Sequence, residues 1–383
     1  MCSPEKFRTP WFRREAALRR LRCSLECEFM INLHLQKYAF LALSAAALFG
    51  ASTPLAKLLL HDVSPVTLAG LLYLGSGAGL LVVRLIRGRF RPDRAKKEFE
   101  LEAGDYPWLA GAVLAGGIIA PVMLMWGLSG ATASAASLLL NFESIITTLV
   151  AAAIFREAVG GRIWLASLVM LTGGLLLSYD PGARFNLSLS SIAVIGACLM
   201  WAIDNNLTRR ISAGDPTTIA MIKGLAAGAV NIVLGQFGGD AMPGMWSLAS
   251  SMTLGFFSYG LSLVLFIYAL RHLGSARTGA HFNTAPFIGA AVAILALEEP
   301  LTLTFAGALL LMVLATWLVL TEQHEHEHEH EFMKHSHEHT HDEHHQHEHD
   351  GTEGPEPHLH THVHLPLRHA HPHLPDIHHR HEH

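Results

Sequence analysis

The sequence predicts an all-α polytopic membrane protein, with ten transmembrane helices arranged as two inverted five-helix repeats. Three observations predict this fold: a shortage of charged residues, ten apolar segments of membrane-spanning length, and an internal repeat. Charged residues make up 15% of the 383 residues, whereas soluble proteins carry about 25%. Residues 107–155 contain a single charged side chain, Glu143. A bilayer imposes such a shortage because one charge at its centre costs about 2.5–3.5 kcal/mol.

The chain opens with a basic arm, residues 1–37, which has no apolar stretch of the kind found in secretory signals. Met30 stands close to the first span, with only a short polar stretch between them. Translation from Met30 instead of Met1 is therefore an alternative start, in which residues 1–29 are not translated.

Ten apolar segments follow, each close to the roughly 20 residues that a helix needs to cross a bilayer. Gly, Ala and Ser are frequent within them, and such small residues let helix backbones approach closely in lipid. The spans are predicted near residues 38–60, 65–86, 107–128, 131–154, 160–178, 188–208, 216–236, 247–270, 275–297 and 301–320.

Lysine and arginine in the loops predict which way the spans run, because cytoplasmic loops are enriched in both. The alternate loops carry only Arg184, with Lys57 and His61 at the end of the first span. We therefore expect a multi-pass protein of the inner cell membrane with both termini in the cytoplasm. The basic residues that follow spans 2, 4, 6 and 8 are Arg87, Arg89, Arg91, Arg94, Lys96, Lys97, Arg156, Arg162, Arg209, Arg210, Arg271 and Arg277.

Two stretches of the chain match each other without a gap, at an offset of 142 residues. Asn141 and Glu157 of the first stretch correspond to Asn283 and Glu299 of the second. Each half then contains five spans, and an odd number inverts the second half relative to the first. Inverted repeats are an architecture of secondary transporters, whose substrate sites lie near the bilayer midplane between the halves.

The matching stretches resemble the two copies of the EamA-type domain of the drug/metabolite transporter superfamily. The resemblance rests on Asn-Phe-Glu-Ser at 141–144 with Phe-Arg-Glu at 155–157, on Ala-Pro at 285–286 with Glu-Glu-Pro-Leu-Thr at 298–302, and on the opening span around 49–57. The first copy departs from the pattern at its fourth position, where serine stands in place of the proline of the second copy.

The resemblance implies a first EamA-type domain over residues 38–178 and a second over 188–320. It also implies a central cavity lined by the first four helices of each domain. Members of the superfamily move small metabolites, often outward, and some form dimers. We therefore expect a transporter of small solutes in a lipid bilayer, with a homodimer as one expected assembly.

Ionisable residues within spans are candidates for substrate or ion binding, and five qualify: Lys57, Glu143, Asp204, Lys223 and His281. Asp204 and Lys223 both lie about 8–10 Å in from the cytoplasmic surface, at 1.5 Å per helical residue. We predict that these two pair, either as a structural link between spans 6 and 7 or as part of the transport site.

Glu143 lies near the middle of span 4, where the second half has Ala285. A lone carboxylate there is expected to be protonated unless it is paired or hydrated. It therefore suits a substrate or coupling-ion site. Two alternatives are an ion pair with Lys57 and a neutral, hydrogen-bonded acid.

Asn141, Asn283 and His281 are further candidates for the site, as polar groups that line a cavity or join helices. His281 is either a ligand or a hydrogen-bonded packing residue. Glu157 and Glu299 stand at turns between helices. We expect these two to accept hydrogen bonds from backbone N–H groups at the start of the next helix.

The final segment, residues 321–383, is predicted to be a disordered cytoplasmic tail, because its polar residues and prolines cannot build a core. The 62 residues after Thr321 hold 23 of the chain's 27 histidines. Imidazoles suit Zn, Ni, Co or Cu ions, so the tail is expected to bind them at several loosely selective sites. The candidate ligands are His324, His326, His328, His330, His335, His337, His339, His358, His360, His362, His364, His378, His379, His381 and His383.

Three functions remain open. The protein transports an organic metabolite while its tail buffers metal, or it transports a divalent transition metal such as Ni, Co or Zn that the tail collects. In the third, it is a membrane-anchored metal store or sensor that transports nothing. The spans show no Ser/His/Asp arrangement, phosphate loop or HExxH motif, so we expect no enzyme, no required cofactor and no nucleic-acid partner.

Overall fold

A computed structural model describes residues 36–90, 103–155, 160–179, 188–211, 215–273 and 275–321, together with four tail segments, 325–329, 333–339, 358–364 and 368–372. Among these residues, ten helices are long and apolar enough to cross a membrane, which confirms the predicted number of spans. The helices are α1 (Gln36–Leu59), α2 (Pro65–Ile86), α3 (Tyr106–Gly130), α4 (Ala133–Val150), α5 (Gly161–Ser178), α6 (Leu189–Thr208), α7 (Thr217–Phe237), α8 (Met245–Ala269), α9 (Thr278–Ala296) and α10 (Leu303–Leu320).

Ten crossings place the start of α1 and the end of α10 at the same side of the membrane. We call this side the tail face and the opposite side the distal face. The turns that follow α1, α3, α5, α7 and α9 then lie at the distal face. The body of the molecule is all helical, as predicted.

Equivalent helices of the two repeats pack against each other, α2 on α7 and α5 on α10. Glycines make the first contact close. A Cβ atom added to Gly77 would lie 2.5 Å from the backbone nitrogen of Leu225, and one added to Gly228 would lie 2.5 Å from that of Leu74. In lipid, such van der Waals packing of small residues drives helix association.

Helices α4 and α9 are both interrupted near their middle. Helix α4 is divided into Ala133–Leu139 and Phe142–Phe155, the second piece continuing past the apolar span. Helix α9 is divided into Ser275–Phe282, which begins before its apolar span, and Ala285–Ala296. At the offset of the sequence repeat, the two breaks agree to within one residue. Discontinuous helices at the midplane are the usual framework of substrate sites in inverted-repeat transporters.

Helices α3 and α8 both contain a π-helical segment, Val113–Ile119 in the first and Phe256–Leu261 in the second. These segments also occupy equivalent positions in the two repeats. Such π-bulges occur often at functional sites, and they place a second pair of irregular elements in the same layer of the bundle.

The four described tail segments are extended. β1 (Glu325–Glu329) pairs antiparallel with β4 (Arg368–Pro372), and β2 (Met333–His339) pairs antiparallel with β3 (His358–His364). This pairing differs from the disorder that the composition predicts. Its physical basis is the alternation of residue types at every second position, which is the period of a β-strand.

Candidate functional site

Glu143 lies at one of the contacts between the two repeats. It stands in the first turn of the second piece of α4, where the positive end of a helix dipole favours a carboxylate. Its Oε1 accepts a hydrogen bond of 3.0 Å from Nδ2 of Asn205 on α6. The same amide lies 3.5 Å from Oγ1 of Thr147 on α4. This contact joins the first repeat to the second.

One turn along α4 from Glu143, a second amide of α6 strengthens this junction. Nδ2 of Asn206 donates to the carbonyl of Thr147 at 3.3 Å and to that of Ala202 at 2.8 Å. Asn206 is buried, whereas Asn205 is exposed. Of the two neighbouring amides, Asn205 is therefore the more accessible.

Asp204 and Lys223 form the ion pair that the sequence predicts, which joins α6 to α7. The other carboxylate oxygen of Asp204 accepts a hydrogen bond of 3.0 Å from Oγ1 of Thr208. Asp204 is only 4% exposed, and a buried charge without a partner would be strongly destabilising. Glu143 is close enough to interact electrostatically with both members of the pair. The three groups together hold two carboxylates and one ammonium group.

The π-helical segment of α3 is fastened through its backbone carbonyls. Gly116 O accepts hydrogen bonds from the hydroxyl of Tyr73 at 2.6 Å and from Nε1 of Trp201 at 3.0 Å. Nδ2 of Asn231 donates to the carbonyls of Gly117 at 3.2 Å and Ile118 at 3.4 Å. Three helices, α2, α6 and α7, thus bind the carbonyls at this one irregular segment.

Aromatic rings form a continuous chain beside this polar group. Centroid distances are 5.7 Å from Tyr73 to Tyr259, 5.7 Å from Tyr259 to Phe49, and 5.5 Å from Phe49 to Phe282. Phe266 continues the chain at 4.9 Å from Phe282. The sequence does not predict this row of rings, because its members come from α1, α2, α8 and α9 and no local pattern connects them.

Lys57 lies away from Glu143, at the distal face. Its ammonium group donates to the carbonyls of Leu128 at 2.6 Å, Ser129 at 3.1 Å and Ala131 at 2.9 Å. These carbonyls lie at the end of α3, where a helix leaves its last acceptors unpaired. The structure therefore gives Lys57 the role of a helix cap and does not join it to Glu143.

Glu299 also acts at the distal face, but on a different helix from the one expected. Its two carboxylate oxygens accept hydrogen bonds from the backbone N–H groups of Ala133 at 2.7 Å and Ser134 at 2.8 Å. These residues begin α4 of the first repeat, so the predicted contact with the next helix is wrong. That helix, α10, is capped by Thr302, whose Oγ1 accepts from Phe305 N at 3.1 Å. Glu157 lies outside the described residues.

Asn141 holds the break in α4. Its Nδ2 donates to Leu138 O at 2.8 Å, and its Oδ1 lies 3.5 Å from Oγ1 of Thr316 on α10. Asn141 is buried and serves the backbone. Its repeat partner Asn283 and the nearby His281 are half-buried at the break in α9.

The predicted tail ligands are only partly covered by the structure. His326, His328, His335, His337, His339, His358, His360, His362 and His364 lie in the four strands, whereas His324, His330, His378, His379, His381 and His383 lie outside the described residues. Among the groups that could be searched in the described part of the chain, no three His, Cys, Asp or Glu side chains come together as a metal site.

Comparison with known proteins shows the family. A model of the EamA-like transporter family matches residues 36–179 and 188–321, which are the two five-helix repeats. The chain belongs to the EamA-like transporter family. It is 28% identical over 275 residues to an uncharacterized transporter of Methanothermobacter thermautotrophicus, covering 68% of this chain and 79% of that protein.

A solved structure, described only as the crystal structure of a protein, shares the fold. It superposes with a TM-score of 0.55 at 17% identity, covering 74% of this chain and 95% of that one. As an EamA-like transporter, the chain is a multi-pass membrane protein that transports small solutes. The irregular segments of α3, α4, α8 and α9 are thus part of the frame of a transporter.

Proposed function

We propose that this EamA-like transporter moves a small organic solute between its two repeats, and that Glu143 binds the solute or its coupling proton. The observation that carries the proposal is the 3.0 Å hydrogen bond between Glu143 and Asn205. It lies at the break in α4 and crosses from one repeat to the other. A relative movement of the repeats would change this hydrogen bond, and such a movement is what alternating access requires.

The balance of charge supports a coupling role for Glu143. Lys223 is in contact with Asp204, so the neighbourhood holds one carboxylate more than it holds ammonium groups. A proton, or a hydrogen-bond donor on the solute, can satisfy Glu143 during transport. Competition between the proton and the solute for the carboxylate oxygens of Glu143 would couple proton movement to solute movement.

The aromatic chain supports an organic solute rather than a bare metal ion. Five rings lie beside the polar group, and organic solutes bind in sites with mainly apolar and aromatic walls and a few polar groups. Divalent transition metals instead need several imidazole, thiolate or carboxylate ligands at one place. The metal-cargo alternative lacks such an arrangement in the described spans.

The test is a flux assay in proteoliposomes with a panel of radiolabelled amino acids, amines and organic acids at several pH values. We expect at least one compound to move with a pH-dependent rate. Glu143→Gln should reduce that rate at least tenfold or remove its pH dependence. Asp62→Asn is the matched control, because Asp62 is an exposed carboxylate in the turn after α1 at the distal face. Normal, pH-dependent transport by Glu143→Gln would refute the role of Glu143, and movement of Zn²⁺ or Ni²⁺ alone would favour metal cargo.

Orientation and assembly are part of the proposal. We infer that the tail face lies in the cytoplasm, because Lys and Arg are enriched in the loops on that side, and that the membrane is the inner one in a cell with two membranes. A homodimer remains an expected assembly of this family. Cross-linking in native membranes tests the dimer, since a band of twice the monomer mass is its expected result.

For the tail, we propose binding of Zn, Ni, Co or Cu ions as a buffer beside the transporter. The register of the β2–β3 ribbon sets His335 opposite His362, His337 opposite His360, and His339 opposite His358. Positions directly opposite in an antiparallel pair share one face. Calorimetry with Zn²⁺ and Ni²⁺ tests this: the full chain should bind several ions and a chain ending at Thr321 should lose that binding, while its flux of organic solute persists.

A further inference from the structure

We propose that Glu299 is the gating residue of the distal face, a carboxylate of the second repeat that must release the first repeat before a solute can pass. The inference rests on the transport function proposed above. Glu299 lies outside the Glu143 site, at the distal end of α4.

The contact itself is bidentate and crosses between repeats. Glu299 follows α9, yet its two oxygens bind the first two backbone N–H groups of α4, at 2.7 and 2.8 Å. Hydrogen bonds from backbone N–H groups to a carboxylate are short and roughly twice as strong as neutral ones. The helix dipole of α4 adds to the attraction. A single side chain therefore ties the two repeats together.

Lys57 holds the other side of the same turn. Its ammonium group caps the end of α3 through three carbonyls, and Lys57 and Glu299 attract each other electrostatically. The α3–α4 turn is thus fixed by a cation on its carbonyl side and an anion on its N–H side. Both charges match the helix ends that they face.

Backbone strain shows that the turn carrying Glu299 is held in place. Glu298 has a φ of 55°, the one left-handed value of a non-glycine residue in the described part of the chain. Such a conformation is strained for a residue that carries a side chain, and it persists only where the surroundings fix it. The strain can be relieved when Glu299 leaves α4, which favours a contact that opens and closes.

Packing behind the contact is close between helices of the two repeats. A Cβ atom on Gly289 of α9 would lie 2.6 Å from the carbonyl of Gly50 on α1 and 2.8 Å from Oγ of Ser137 on α4. Three helices of the two repeats meet there without a gap. Separation of α4 from α9 would open this packed region toward the distal face, and the same movement would break the Glu299 contact.

A reversible cross-link tests the gate. In a chain with Cys2, Cys23, Cys27 and Cys198 replaced by alanine, Glu299→Cys and Ser134→Cys form the test pair. Asn205→Cys serves as a reporter for an impermeant maleimide applied from the distal side. We expect oxidation to slow labelling of the reporter at least tenfold, and reduction to restore it in the same sample, which also shows that the protein is folded.

The control pair is Gly173→Cys with Met312→Cys, on the packed helices α5 and α10. Its oxidation should leave labelling unchanged, because these helices are expected to stay together. In the chain whose only cysteine is the Asn205→Cys reporter, Glu299→Gln should speed labelling several-fold. Labelling that is insensitive to the 134–299 disulfide, or unchanged in Glu299→Gln, would overturn the gate. Labelling needs no solute, so failure of the flux assay alone would count against the transport proposal and leave the gate standing.

Discussion

Single residues at the helix contacts show how little space the site leaves. Gly116 lies in the π-helical segment of α3, and a Cβ atom there would fall 1.9 Å from Oδ2 of Asp204. That oxygen is the partner of Lys223. The absence of a side chain at position 116 is therefore a condition for the ion pair, and the pair in turn lies beside Glu143.

Gly116→Ala should destabilise the protein by about 1–3 kcal/mol, the usual cost of overfilling a packed interior. The reason is that the new methyl group displaces the Asp204 carboxylate from Lys223. The free energy of unfolding, measured by denaturant titration in detergent, is the readout. Gly279→Ala is the control, because no atom of the described residues beyond its own helical turn lies within 4 Å of its added Cβ. Equal stability of the two variants would contradict the crowding at position 116.

The Asp204–Lys223 pair makes a second prediction at this scale. Lys223→Met should lower stability by about 3–5 kcal/mol, because it leaves a buried carboxylate without its partner. Adding Asp204→Leu should recover most of that loss, since two apolar residues replace a buried ion pair at little cost. A double-mutant cycle measures the coupling, and additive losses would show that the two residues act independently.

What the sequence could predict at the residue scale depended on distance along the chain. Asp204 and Lys223 flank one short turn, so their positions near helix ends were sufficient to predict the pair. Lys57 and Glu299 could not be placed correctly, because the groups they bind are backbone atoms of helices distant in sequence. Backbone N–H and carbonyl groups at helix ends are present in every sequence and give no signal of their own.

At the scale of elements, irregular segments define the site better than side chains do. The breaks in α4 and α9 and the π-helical segments of α3 and α8 recur in both repeats. Apolar segments of membrane-spanning length predicted the ten spans, but spans that are apolar on every side carry no period that could indicate a break. The repeat did match Asn141 with Asn283, which stand at the two breaks.

Tyr73 and Trp201 should hold the π-helical segment of α3 redundantly. Both donate to Gly116 O, so Tyr73→Phe alone leaves that carbonyl one donor and should cost about 0.5–1.5 kcal/mol. The double variant Tyr73→Phe with Trp201→Phe leaves the carbonyl without either donor, and its loss should exceed the sum of the single losses. Unfolding free energies of the four proteins test this, and a strictly additive result would show that water or another group replaces the donors.

In the whole molecule, the inverted arrangement determines the face of the membrane at which each segment lies. Five helices in each repeat place equivalent helix ends on opposite faces. The sequence predicted this plan from two independent signals, the repeat and the basic loops. It could not predict which helices of one repeat touch the other, because packing in lipid depends on small residues that occur in every span.

The topology predicts a definite labelling pattern in intact cells. Met242 is exposed in the turn between α7 and α8, at the distal face, and Met242→Cys in a cysteine-free chain should react with an impermeant maleimide from outside. A cysteine added after His383 should react only after the membrane is permeabilised, because an even number of spans returns the tail to the side of the N-terminus, which the basic loops predict to be cytoplasmic. Reaction of the tail cysteine alone in intact cells would show that the orientation is the reverse of the predicted one. Reaction of both cysteines would require an odd number of spans, which two inverted five-helix repeats cannot provide.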